Sequence, residues 1–259
     1  MARHLSGTLL TAVFLRAQCL DLFCLSSLYV NDIPDLVESK IKMFADNIKI
    51  YKQITSFGDA LSLQNDLDKL CDWAKEWLLH FNVVKCKHLK YGNNASPYEY
   101  YMNDEGTNTK LGIVSSEKDL GVWITSKPNF ALQCDKASAK AMQSLGLIKR
   151  TFTHLTKESF LILYKTYVRP HLEYCVSIWN PFLAQNIDKL ERIQQRATKL
   201  VPELAQLPYE TRLQHLDLLS LFCRRQREFH QTHSSPLLTV LLEDIIRKYL
   251  STTPGSTQD

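Results

Sequence analysis

The stretch IKMFADNIKIY, residues 41–51, decides how the first half of this chain is read. Ile41, Met43 and Ala45 alternate with Lys42, Phe44 and Asp46, and Ile48 and Ile50 then alternate with Lys49 and Tyr51. Successive side chains of a strand point to opposite faces, so a period of two on either side of Asp46-Asn47 predicts two strands joined in a β-hairpin. Working outward, residues 57–81 place Leu61, Leu67, Leu70, Trp73, Ala74, Trp77 and Leu78 at helical spacing and predict an amphipathic helix. A strand over 86–91 follows, then a polar, turn-rich stretch over 92–110 (GNNASPYEYYMNDEGTNTK), and 119–125 (DLGVWIT) reads as one more strand.

Beyond Ser126-Lys127-Pro128 the period becomes helical and stays so. Residues 130–150, 158–169, 185–200 and 209–229 predict four helices. Pro170 is expected to end or kink the second, because proline lacks the N–H that a helix interior uses. A short apolar stretch covers 237–250, and the closing STTPGSTQD reads as disordered. The fold class is therefore α+β, mixed in front and helical behind, with the change near Lys127.

At 259 residues, 45% hydrophobic and 10% aromatic, the chain has enough apolar material for one or two cored domains. The net charge of +4 selects no partner, but residues 135–230 hold 15 Lys plus Arg against 9 Asp plus Glu, a surplus of 6. Such a surplus suits phosphate contacts, although a solvated helix face is its commoner cause. Cys19, Cys24, Cys71, Cys86, Cys134, Cys175 and Cys223 are odd in number and widely spaced with no C-x-x-C pair, which argues against a disulfide framework or a structural zinc site. An intracellular protein, cytoplasmic or nuclear, is expected. Arg3 and His4 before an apolar run imitate a signal peptide, but Arg16 and Asp21 interrupt that run. No run reaches the roughly 20 apolar residues of a spanning helix, so no membrane partner is expected. Gly-rich phosphate loops, nucleophile elbows and His-Glu-x-x-His are all missing, and His80, His88, His154, His171 and His215 have no metal-ligand spacing.

Several blocks, in order along the chain, resemble one family. Phe44-Ala45-Asp46 at a hairpin tip, an amphipathic helix and then Phe81-Asn82-Val83-Val84-Lys85-Cys86-Lys87 are similar to the palm of non-LTR (LINE-type) retrotransposon reverse transcriptases. Tyr29-Val30-Asn31-Asp32-Ile33-Pro34 resembles the family's YVNDIP, and EKDLGVWIT (117–125) resembles its strand near the primer terminus. LGLIKRTF (145–152), LYKTYVRPHLEYCVSIWNP (163–181) and LERIQQRATKLV (190–201) resemble its thumb and the segment after it. The similarity spans residues 28–229 and is closest to jockey-like and chicken-repeat-like elements; the order of the blocks carries it more than any one tetrapeptide.

The resemblance implies a partial palm (hairpin, helix and strands) over 28–127, an all-helical thumb-like and post-thumb region over 128–230, and a short apolar helix with a disordered tail over 231–259. The family activity is RNA-directed DNA polymerisation, which uses clustered carboxylates to hold two Mg2+ ions a few Å apart. The family's tip reads FADD; here Asp46 is followed by Asn47, whose amide brings no charge. Asp-Asn is also good turn chemistry in its own right. The family's other catalytic aspartate lies on a strand upstream of every matched block, and its SVPQGSVLGPLLF-like stretch is missing from residues 1–27. Asp46 is thus read as a vestigial catalytic and metal-binding residue, with Mg2+ implied by the family but not held stably and polymerase activity not expected.

The genetic code offers an account of residues 1–27. One coding of Cys-Ser-Val-Pro-Gln-Gly-Ser-Val-Leu-Gly-Pro-Leu-Leu-Phe, moved forward by one base, translates without mismatch as AVFLRAQCLDLFC, which is residues 12–24. The segment is therefore read as an out-of-frame relic that belongs to no domain. Loss of the family's upstream strands should then leave open edges beside the Asp46 hairpin.

Candidate nucleic-acid contacts are Lys85, which the resemblance places near the incoming nucleotide, and the basic residues of the helical half. Lys136, Lys140, Lys149 and Arg150 are read along one helix side and Arg192, Arg196 and Lys199 along another. Gly121, Val122 and Trp123 match a primer-grip strand, or are simply core. Arg224, Arg225 and Arg227, close to Phe222 and Phe229, form the densest basic cluster and the first choice for nucleic-acid contact. The expected partner is RNA or DNA, bound weakly and without sequence preference. Three functions follow: an inactive reverse-transcriptase remnant, a translated pseudogene product with no selected role, and an active polymerase.

Overall fold

The computed structural model describes residues 9–18, 33–44, 47–77, 79–91, 98–104, 106–127 and 129–232. The chain divides into two compact units, residues 1–117 with 125–127, and residues 118–124 with 128–259. The α+β class holds among the described residues: the first unit is built on a sheet and the second on helices.

In the first unit the strands are β1 (Leu9–Gln18), β2 (Lys40–Phe44), β3 (Asn47–Ile54), β4 (His80–Phe81), β5 (Lys87–Tyr91), β6 (Tyr101–Asp104), β7 (Thr107–Lys110) and β8 (Gly112–Val114). The main sheet runs β2-β3-β1-β5-β8, with β4 pairing the end of β1. The hairpin forms as its alternation predicts, Ile41 opposite Ile50 and Met43 opposite Ile48. Its connecting residues, Ala45 and Asp46, lie outside the described residues, as does most of the YVNDIP block.

The largest departure from the sequence reading is β1. Residues 1–27 were assigned to no domain, yet Leu9–Gln18 lies between β3 and β5, antiparallel to both, with Val13 opposite Ile50 and His88. Ala12 and Val13 are 0% exposed and Leu15 is 1%. An apolar run with β-branched and aromatic members makes a buried strand whatever its coding history, once two partners flank it. The edge of β3 expected to be open is filled.

Helix α1 (Ile33–Leu36) is a single turn, and α2 (Phe57–Glu76) covers one sheet face. Ser56 Oγ accepts the Asp59 N–H at 3.2 Å while Asp59 Oδ2 accepts the Ser56 N–H at 2.9 Å, a reciprocal cap contributing about 1 kcal/mol. Leu63, Leu67, Leu70 and Trp73 of α2 share a core with Val13, Leu15, Ile48 and Ile50. Buried Asp66 accepts from the Ser39 N–H (2.9 Å), the Ser39 hydroxyl (2.6 Å) and the Glu38 N–H (3.1 Å), tying the chain ahead of β2 to the helix. The helix stops at Glu76, short of the predicted 81, because His80 and Phe81 leave it to pair with Gln18 and Ala17. The stretch predicted as a long turn holds the hairpin β6–β7, closed by Gly106 at φ 88 and by Asn103 Oδ1 accepting the Gly106 N–H at 3.0 Å.

The single strand predicted over 119–125 is instead part of a hairpin, β9 (Ser116–Asp119) and β10 (Val122–Thr125), turned by Leu120 (φ 44) and Gly121 (φ 90). Two consecutive left-handed residues make the turn type that matches strand twist. Helices α3 (Ala131–Thr151), α4 (Lys157–Leu163), α5 (Arg169–Glu173), α6 (Val176–Trp179), α7 (Ala184–Thr198), α8 (Tyr209–His215) and α9 (Leu221–Thr232) build the rest. Around Pro170 the helix changes form: α4 stops at Leu163, and a π turn (Tyr164–Val168) leads into α5, where the proline occupies the first turn and its missing N–H is not needed. The predicted single helix over 209–229 breaks at Asp217, which is left-handed at φ 49. Tyr164, Leu172, Trp179, Leu190 and Ala197 centre the core. The apolar stretch and tail predicted beyond residue 232 lie outside the described residues.

Candidate functional site

The hairpin that the sequence reading likens to a polymerase tip is flanked by β1, and the pairing register sets its electrostatics. Arg16 is the residue opposite Asn47, and Phe14 is opposite Lys49. On β2, Lys42 pairs with Lys49, whose ammonium lies 5.4 Å from the Phe14 ring centroid. Arg16 Nη2 reaches Glu117 Oε1 at 3.7 Å. A pair of Mg2+ ions needs several carboxylates converging from neighbouring strands. The described side chains around this hairpin offer an amide, cations and the carboxylate of Glu117, which Arg16 already pairs, so they do not fit that centre. Asp46, which the sequence reading takes as a vestigial ligand, lies outside the described residues, and among those described no three His, Cys, Asp or Glu side chains converge. Among the described residues, no helix is long and apolar enough to cross a membrane.

The chain matches no family model, no curated protein and no solved structure.

Lys85 is exposed in a turn where Asn82 Oδ1 accepts its backbone N–H at 3.2 Å; the turn needs the asparagine, not the lysine. Gly121 serves the β9–β10 turn. A Cβ there would stand 2.9 Å from Tyr174 Cε1, and the Tyr174 hydroxyl donates to the Leu120 carbonyl at 2.9 Å. Val122 is core, and Trp123 is half-buried with its backbone N–H donating to Gln133 Oε1 at 2.9 Å and the Lys136 ammonium 5.5 Å from its ring centroid. Lys140 is exposed.

The arginine cluster chosen from sequence is corrected. Arg225 is 1% exposed, and its three guanidinium nitrogens make no hydrogen bond. Burial pushes its pKa down, partly offset by the charges of Glu191, Cys134 and Glu173. Arg224 is held by Glu173 through Nε at 2.5 Å and Nη2 at 3.2 Å, and that pairing raises its pKa. Only Arg227 is exposed. The cause is helical phase: at 100° per residue three near-adjacent arginines cannot share a face, and Arg225 falls on the stripe of Leu221 that packs inward.

Lys149 also departs from its group. Lys136, Lys140 and Arg150 fall along one side of α3, whereas Lys149 follows Met142, Leu145 and Gly146 by seven, four and three positions and shares their side. Helices α3 and α7 run parallel: Lys189 pairs with Asp135, and two turns on Arg196 Nη1 lies 4.0 Å from Met142 Sδ. At their carboxy-terminal ends a cleft of about 630 Å3 opens over Leu145, Phe152, Leu155 and Leu200, with Lys149, Arg196 and Lys199 around it and no carboxylate in its lining. Sequence spacing gave the two basic stripes but not their meeting point, because that depends on the parallel packing of helices more than thirty residues apart in sequence.

His88 is a functional-looking residue that the sequence left scattered. It is 0% exposed on β5, edge-on to Tyr100 with ring centroids 4.8 Å apart, and neither ring nitrogen has a partner. Burial, helped by the charge of Lys90, lowers its pKa to about 4. A neutral imidazole without hydrogen bonds is a packing residue here, not a base.

Proposed function

We propose that this chain descends from the reverse transcriptase of a non-LTR retrotransposon, no longer performs the polymerase reaction, and keeps weak, sequence-independent affinity for RNA or DNA through its helical unit. The observation that carries the loss of chemistry is the pairing of Arg16 with Asn47. The strand beside the hairpin carries a guanidinium, and the Glu117 carboxylate within 3.7 Å of it is committed to that cation and not to a metal ion. The descent rests on the ordered blocks of sequence. An upstream strand, a hairpin, a covering helix and a following strand arranged as a split β-α-β unit are compatible with a partial palm. Nucleic-acid affinity is supported by the exposed cations of α3 and α7, in particular the three at the cleft.

A translated pseudogene product with no selected role is the second reading, favoured by the shifted-frame match of residues 12–24. It loses ground because that segment is the buried central strand of the sheet. Primer extension on an RNA template with Mg2+ or Mn2+, together with filter binding from low to physiological salt, tests the proposal. Expected are no incorporation and a salt-dependent complex. Template-dependent incorporation that Asp46→Ala abolishes would overturn the first half, and no complex even at low salt would leave the pseudogene reading.

A further inference from the structure

The cleft between α3 and α7 joins two properties that phosphate tracking alone does not need, a charged rim and an apolar floor. We propose that it seats one unpaired base of a single strand, with the phosphates on either side of that base held by Lys149, Arg196 and Lys199. This rests on the nucleic-acid reading above and gives it a location and a preference for single strands.

Charge comes first. Two helices end at the cleft, and each carboxy terminus contributes about half a negative charge. Three cations exceed that, and no carboxylate lines the cleft to neutralise them. The ligand must therefore bring more than one negative charge. A fatty acid brings one carboxylate; a nucleic-acid strand brings a phosphate on each side of every base.

Apolar lining comes second. Leu145, Leu155 and Leu200 offer nothing to a bare phosphate but remove the faces of a ring from water. Phe152, 42% exposed at the same cleft, and the guanidinium plane of Arg196 are surfaces on which unpaired bases stack. Paired bases inside a duplex cannot enter, so the cleft discriminates by strandedness and not by sequence.

Gly146 provides a clean way to close the cleft. A Cβ at this position meets only Arg150 Nη1 at 3.9 Å, so a larger side chain is tolerated at a position that lines the cleft. In mid-helix, leucine for glycine also favours the helix by roughly 1 kcal/mol, so loss of binding will not reflect unfolding.

The test is fluorescence anisotropy of the full chain with a labelled single strand of about 12 nucleotides, the same length as duplex, and an abasic deoxyribose-phosphate strand. The natural single strand should bind at least about fivefold tighter than the abasic one, the lower end of the stacking contribution of one base. Gly146→Leu should erase that difference, keep the salt slope and not lower the melting temperature. Lys149→Ala, Arg196→Ala and Lys199→Ala combined should reduce the log-log salt slope by about 1.4, two phosphates at roughly 0.7 each. Equal affinity for natural and abasic strands, unaffected by Gly146→Leu, would overturn the cleft while leaving nucleic-acid affinity intact. Gly146→Leu-sensitive binding of decanoate or of an acidic peptide, with no strand bound, would assign the cleft to another occupant and overturn it as well. Absence of any strand complex at low salt would sink both this inference and the reading beneath it.

Discussion

Arg16 faces Asn47 across the β1–β3 ladder, so the hairpin that resembles a polymerase tip has a guanidinium-bearing residue for its neighbour. Directly opposed residues in antiparallel strands are about 5 Å apart at Cα, close enough for charge to decide metal affinity. Manganese titration followed by electron paramagnetic resonance should show no binding below the millimolar range for the native chain or for Asn47→Asp. The pair Arg16→Asp with Asn47→Asp changes the local charge by three units, and at the effective dielectric of a partly exposed site it should tighten Mn2+ binding by about tenfold or more. Submillimolar Mn2+ binding by the native chain would show that the hairpin holds a competent ligand set.

His88 should make the first unit sensitive to acid. Its folded pKa is about 4, against roughly 6.5 in an unfolded chain. Above pH 6.5 neither state binds the proton and the folded state keeps its full stability. As pH falls below 6.5 the unfolded chain takes up a proton that buried His88 refuses, and stability drains until the folded pKa is passed near 4. At about 1.4 kcal/mol per unit, the loss by pH 4.5 is about 2.5 kcal/mol. Carboxylates titrate in the same range, so the measured quantity is the difference from His88→Phe in urea unfolding at pH 7.5 and 4.5. The variant should lose less stability than the native chain over that interval; equal losses would mean that His88 gains a proton in the folded state.

Arg225 is a buried cation with no hydrogen bond, while the carboxylates that feel its charge are satisfied elsewhere. Glu173 binds Arg224 and Arg169, and Glu191 accepts from the Tyr209 hydroxyl and the Leu221 N–H. Replacing Arg225 with methionine therefore orphans neither acid and removes a desolvated charge. It should be neutral or stabilising by about 1–3 kcal/mol in chemical denaturation, and should leave nucleic-acid affinity unchanged. Weakened binding in Arg225→Met with an intact fold would return that arginine to the list of contacts.

Legibility followed the range of the forces involved. The β2–β3 hairpin and the helices α3 and α7 were visible because their periodicity is local and unbroken. The hairpin β6–β7 was missed although Asn103 and Gly106 carry its turn signal, since Thr107, Asn108 and Thr109 lack the apolar alternation that marks a strand. The strand at 119–125 was misread because Leu120 and Gly121 look like members of an apolar run until Tyr174, far along the chain, is seen closing on them. Candidate contacts fared worst: whether Arg225 points to solvent or core depends on the phase of one helix, and whether Lys149 meets Arg196 depends on the packing of two.

The placement of β1 gives the sharpest test of how the first unit is built. Val13 is 0% exposed, opposite Ile50 on one side and His88 on the other. Its face shares a core with Leu63 and Leu67 of α2. Val13→Ala removes two methyl groups there and should cost roughly 2–3 kcal/mol. Val13→Asp puts an unpaired carboxylate in the same place and should cost more than about 4 kcal/mol, enough to unfold a unit of ordinary stability. Hydrogen exchange read by peptide should then show fast amides throughout β3 and β5 in Val13→Asp. Amides of α7, in the other unit, should remain slow. If residues 9–18 were a passenger with no structural part, both substitutions would leave β3 and β5 as protected as before, and the sheet would have to be rebuilt without its central strand.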